Sequence, residues 1–99
     1  MTTPAVATLV VHIALSRIDA LAVIALAMDA EVTGAGTSDA FVLLPDGARA
    51  YVEIPRFGDP PPFAIDVESD AGSGAARLAA EDLEARLVDA TGWRIRRGF

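Results

Sequence analysis

Residues 39–68 read DAFVLL-PDG-ARAYVEI-PRFGDPPP-FAIDVE, and the fold turns on this stretch. Three short runs rich in β-branched and aromatic residues are separated by turn formers, the pattern of strands joined by tight connections. Phe41-Val42-Leu43-Leu44 leads into Pro45-Asp46-Gly47. In that turn proline presets φ, aspartate bonds its own backbone and glycine accepts φ > 0. Tyr51-Val52-Glu53-Ile54 returns, with Val52 and Ile54 on one face and Tyr51 and Glu53 on the other. The near-continuous apolar character of Asp39–Leu44 predicts a strand covered on both faces. Pro55–Pro62 donates too few backbone hydrogen bonds to continue a strand and is expected to be a stiff connection. Phe63–Glu68 then alternates cleanly: Phe63, Ile65 and Val67 inward, Asp66 and Glu68 outward.

Upstream, residues 1–5 are expected to fray. Val6–Leu15 keeps period two, with Leu9, Val11, Ile13 and Leu15 on one face and Thr8, Val10, His12 and Ala14 on the other. It reads as a strand; the competing reading is the start of a long helix, which the frequent alanine favours and Val10-Val11 and Ile13 oppose. Ser16 is a suitable N-cap, with Asp19 three residues on. A helix is expected over 17–31, ended by Gly34 and Gly36. Its apolar residues, among them Ile18, Leu21, Val23, Ile24, Leu26 and Met28, spread over more than half the circumference. A helix this apolar is buried on more than one side, by the rest of the chain or by a second subunit.

Downstream, Ser69–Gly74 is a small-residue loop and a second helix is expected over 75–90. Ala76, Ala79, Ala80, Leu83, Leu87 and Ala90 form its buried stripe. Gly92 ends it, and Trp93–Arg96 alternates as a short last strand with Trp93 and Ile95 inward. The order β-α-β-β-β-α-β predicts an α+β two-layer sandwich, ferredoxin-like with an additional strand, on a mainly antiparallel sheet. Alternatively the proline run breaks one strand in two.

Ninety-nine residues suit a single domain spanning 1–99. The hydrophobic fraction of 53% and mean hydropathy of +0.40 are high for so small a chain, although alanine supplies much of both. The surplus points to an apolar face covered by self-association, most simply a homodimer. With no cysteine there are no disulfides, thiolate metal sites or cysteine nucleophiles. All eight basic residues are arginine, and the net charge of −6 repels phosphate backbones, so nucleic-acid binding is not expected. Neither apolar run in the first 28 residues reaches the length of a membrane span, and no positive charge precedes the first. A cytoplasmic protein without a membrane or cofactor partner is the expectation.

Two constellations are candidates for chemistry. On the mixed sheet face, His12, Tyr51, Glu53, Asp66, Arg94 and Arg96, with Glu68 beside them, combine acid, base and the only imidazole, the raw material of acid–base catalysis. Alternating strands also produce such faces with no catalytic role, through arginine–carboxylate pairs. Ser73, Gly74 and Arg77, at the start of the second helix, form a candidate anion site. The ordinary reading there is Ser73 as N-cap, and Asp66, Glu68 and Asp70 oppose anions. A transition-metal site is not expected from one histidine and no cysteine. The function expected is protein binding without catalysis, self or another protein being the partner. The acidity also suits an inhibitor masking a basic site. A small-molecule or acid–base role around His12 is the alternative.

Overall fold

The computed structural model describes residues 3–54 and 62–99. The proline-rich connection expected over residues 55–62 lies, except for Pro62, outside the described residues. The chain is a small α+β fold of six strands and two helices: β1 (Ala5–Val11), α1 (Arg17–Ala27), β2 (Val32–Thr33), β3 (Phe41–Leu43), β4 (Arg49–Glu53), β5 (Phe63–Ser69), α2 (Ser73–Thr91) and β6 (Ile95–Arg97). The strands form one open sheet in the order β2-β3-β4-β5-β1-β6, with every neighbouring pair antiparallel.

Period two sets the faces. Leu9 pairs with Ile65 and Ile65 with Val52; Ala7 pairs with Val67 and Val67 with Ala50, which pairs with Val42. These residues share one face and all are buried. The helices roof that face. α2 packs on β1 and β5, α1 on β2, β3 and β4, and the two helices touch each other. One cluster of buried side chains therefore joins all the large elements. At its centre Leu9, Ile24, Ile65, Leu83 and Leu87 are fully buried, each worth roughly 1.5–3 kcal/mol relative to an exposed side chain.

The hairpin between β3 and β4 turns as its residues dictate. Gly47 takes φ +88°, its N–H donates to the Leu44 carbonyl at 3.0 Å, and Asp46 Oδ1 accepts from Ala48 N–H at 3.2 Å. The expectation that this first hairpin strand is covered on both faces is corrected: Val42 is buried but Leu43 is 52% exposed, because both helices lie on the same side of the sheet.

β1 is a strand, but it stops at Val11 rather than running to Leu15. The pairing with β5 ends where Val11 meets Phe63, and Ile13 turns out toward solvent. The helix follows at the expected cap, with Ser16 Oγ accepting from Asp19 N–H at 3.1 Å. It ends early, at Ala27 and not near Glu31. Asp29 adopts φ +52°, its N–H donates to Leu26, and the Ala30 N–H donates to Ala25 at 2.8 Å. This 6→1, 5→2 pair is a Schellman stop with aspartate in the left-handed position that glycine usually fills. The chain freed by this stop forms β2, an edge strand that the sequence does not announce. Gly34 shapes the turn after it, at φ +72°, its carbonyl accepting from both the backbone and the hydroxyl of Thr37.

α2 buries Ala76, Ala79, Ala80, Leu83 and Leu87 as expected, while Ala90 is exposed near its end. Gly92 terminates it at φ +72°. The last strand is displaced from 93–96 to Ile95–Arg97. Trp93 instead sits edge-on to Phe63, ring centroids 5.8 Å apart, and Arg97 ties β6 to α2 through Glu84 at 2.9 Å. Among the described residues no helix is long and apolar enough to cross a membrane.

Candidate functional site

The helix-free face of the sheet carries Tyr51, Glu53, Asp66, Glu68 and Arg96, while His12 and Arg94 lie just beyond the ends of β1 and β6. Register arranges them in rows. Glu68 on β5 lies between Val6 on β1 and Arg49 on β4. Asp66 lies between Thr8 and Tyr51 in the next row, and Ala64 between Val10 and Glu53 in the third. Arg96 on β6 lies opposite Val10, on the far side from Ala64. His12 follows β1, its N–H donating to the Arg94 carbonyl at 3.0 Å.

Sharing a face does not bring these groups together. His12 is four residues beyond Thr8, about 13 Å along an extended chain, so the imidazole stands well away from the Asp66 row. Asp66 is already engaged: Thr8 Oγ1 donates to its Oδ1 at 2.8 Å. Tyr51 packs its ring against Phe41 at 5.4 Å between centroids. Arg94, Arg96, Glu53 and His12 are exposed, and none of them forms an ion pair among the described residues. Among the described residues no carboxylate forms a hydrogen bond or ion pair with the imidazole.

Among the described residues this face carries an ion pair at its rim. Arg49 reaches Asp70 in a two-pronged contact, at 3.2 Å and 3.4 Å. The hydrogen bond from Arg49, then its charge, holds the Asp70 carboxyl below its usual range. The same bond raises the Arg49 guanidinium, opposed by some desolvation and helped by the charges of Asp70, Tyr51 and Glu68.

The candidate anion site is differently built than its sequence suggests. Gly72, at φ +108°, is the N-cap of α2, and Ser73 is the first helical residue with no capping bond from a side chain. The nearest hydroxyl, Ser69 Oγ, accepts from Ala71 N–H at 3.1 Å. Ser73, Gly74 and Arg77 are exposed, and the carboxylate just before them, Asp70, is held by Arg49. Among the described residues no three His, Cys, Asp or Glu side chains gather as a metal site would need.

A different surface emerges on α1. Its buried side holds Ala20, Leu21, Ile24 and Ala25. Its outer side carries Ile18, Ala22 and Leu26, spaced i, i+4, i+8, with Ile18 74% and Leu26 82% exposed. Beside the N-terminal half of this stripe runs an open groove of about 480 Å³, between Ile18, Leu21 and Ala22 on the helix and Val32 on β2 with Gly36 and Ala40 on its connection to β3. Arg17 closes one end, its guanidinium donating to the carbonyls of Thr37 and Ser38. The excess of apolar residues around this helix was visible in the sequence. The groove was not, because its far wall is a loop placed only by the β2–β3 pairing. Comparison of the chain with protein-family models, with curated proteins and with solved structures finds no match in any of the three.

Proposed function

We propose that this chain is a non-catalytic protein-binding domain that works as a homodimer. The observation that carries the reading is the outer side of α1. From Ala20 to Met28 no residue is charged, and the two largest exposed side chains of that segment's neighbourhood, Ile18 and Leu26, lie on one line. Large apolar side chains that stay exposed in a row mark a surface meant for a partner. The position of His12, set along β1 away from the row that holds Thr8, Asp66 and Tyr51, supports binding over catalysis. We also read the arrangement β4-β5-β1-β6 under two helices as a ferredoxin-like core, with β2 and β3 added at one edge; the strand order and the split β1-α1-β4 passage around β5 support it.

Light scattering coupled to size exclusion tests the reading. A homodimer elutes at twice 10.3 kDa. A protein that stays at 10.3 kDa at millimolar concentration refutes it. That result would favour the second reading, a small-molecule site, whose supporting observation is the groove beside α1, within the roughly 300–1,000 Å³ range of ligand pockets.

A further inference from the structure

We infer that the free edge of β6 takes up an extended acidic segment of another protein as an added strand. This deepens the protein-binding reading above and does not need the homodimer: β6 lies at one end of the strand order, and α1 packs over β2, β3 and β4 at the other. Register fixes which backbone groups the edge offers. The His12 N–H donates to the Arg94 carbonyl and the Gly98 N–H to the Thr8 carbonyl, so residues 94 and 98 bond the β1 side. Arg96, midway between them, pairs with Val10. In an antiparallel ladder alternate residues bond opposite neighbours, so the N–H and C=O groups of Ile95 and Arg97 point away from β1. Among the described residues no backbone group bonds them, and no strand lies beyond β6. Such a row is a template for another chain.

Charge says what kind of chain fits. Three of the eight arginines fall at 94, 96 and 97, in a protein with fourteen acidic residues. Arg97, on the helix side, is held by Glu84. Arg94 and Arg96 share the other face, are exposed, and form no ion pair among the described residues. Asp66 and Glu68 on that face stand two strands away, about 10 Å or more. The pairing pattern sharpens the match. For an antiparallel strand on this edge, Ile95 and Arg97 make the hydrogen-bonded pairs, and Arg96 falls in the non-bonded pair, where facing Cα atoms approach to about 4.5 Å. An acid opposite Arg96 gains the closest contact, and a second acid two residues along meets Arg94. The residue between them turns to the helix side, beside half-buried Ile95. The segment recognised therefore reads acid–apolar–acid.

The same arginines disfavour the other occupants. Two β6 edges paired antiparallel about Arg96 set that arginine against its own equivalent, a like-charge pair that destabilises a sheet. A segment of a few residues feels chiefly the charges within the ~8 Å screening length at physiological salt. A nucleic acid carries its charge well beyond this edge and meets a body of net charge −6. A strand of ~5 residues along the edge is ~17 Å long, so the contact belongs to the small, transient class, below ~1,200 Å² in total.

A short capped peptide alternating valine and glutamate tests this, against a control of the same composition with its glutamates grouped at one end. Titrated into the isotope-labelled protein, the alternating peptide should bind with a Kd below ~1 mM. It should shift the amides of residues 94–98 and slow hydrogen exchange at Ile95 and Arg97, whose N–H groups face away from β1. The grouped control should bind ~tenfold more weakly, because only alternation puts both acids on the face of Arg94 and Arg96. Arg94→Glu combined with Arg96→Glu should weaken the alternating peptide by at least ~tenfold and leave thermal melting unchanged. No binding at ~1 mM, equal binding of the two peptides, or unchanged exchange at Ile95 and Arg97 would overturn the inference. So would tighter binding of oligothymidylate at the same ionic strength, which would make the edge a phosphate site. Slowed exchange of those two amides without peptide, rising with protein concentration, would put a second copy there and overturn it too. Light scattering keeps the readings apart. A dimer that ignores the peptide loses the acidic partner and keeps the homodimer; a monomer that binds it does the reverse.

Discussion

Asp29→Gly should raise the melting temperature, although it replaces a side chain with none. Asp29 holds φ +52° at the end of α1. The left-handed conformation costs an L-residue roughly 1–2 kcal/mol, with aspartate near the low end. Its charge also faces the carbonyl end of the helix dipole, worth about 0.3–1 kcal/mol at an exposed site. Glycine relieves both. Against this, the greater freedom of glycine in the unfolded chain costs about 0.4–1 kcal/mol. The balance is a gain of roughly 0.5–1 kcal/mol, or about 2–8 °C in a domain of this size. Asp29→Ala removes the charge but keeps a Cβ in the strained position, so it should be neutral or slightly destabilising. Calorimetry or thermal circular dichroism of both variants at one matched protein concentration reads the effect with any association term held fixed. The sign carries the argument. Were α1 to run on to Glu31, glycine at 29 would sit inside a helix and cost about 1 kcal/mol. A fall in melting temperature for Asp29→Gly larger than for Asp29→Ala would refute the Schellman stop, and with it the origin of β2.

Two further outcomes follow from the packing and from the Arg49–Asp70 ion pair. Leu83 is fully buried and Leu78, five residues earlier on α2, is 68% exposed. Leu83→Ala should cost about 3–5 kcal/mol in chemical denaturation and Leu78→Ala less than ~0.5 kcal/mol; a reversed order would mean that α2 presents another side to the sheet. The Asp70 carboxyl, held low by Arg49, should titrate below the ~3.9 of an unpaired aspartate. Its folded pKa is depressed, so the pair's contribution is present above that unfolded value and is lost as pH falls through the folded one. Carbon-detected NMR titration should show the Asp70 midpoint rise in Arg49→Gln, and an unmoved midpoint would sink the pairing.

Much of the fold was legible because its strands alternate. Leu9 and Val11, Val52, and Ile65 and Val67 each announce an inward face, and the sheet needs that face buried. The Pro45-Asp46-Gly47 turn and the Ser16 cap were legible for a different reason: each is made by the side chains of the residues themselves. Where α1 ends was not. Gly34 and Gly36 were the conspicuous helix stops, yet Asp29 turns first, since a single aspartate tolerates the left-handed conformation once β2 has a neighbour to pair with. The mixed face was legible as a face but not as a site. Period two says that His12 and Asp66 point the same way; it says nothing of the ~13 Å between their rows.

By itself, then, the sequence determined the local periods, the turn chemistry, the acidic charge and the surplus of apolar residues on the first helix, because each depends on residues a few positions apart. Only the tertiary structure decided that β2 adds an edge to the sheet, that the imidazole lies rows away from Asp66, and that Ile18, Ala22 and Leu26 are left uncovered beside a groove. Those facts depend on which strands pair across tens of residues, and pairing is decided by the burial of the whole core rather than by any one stretch.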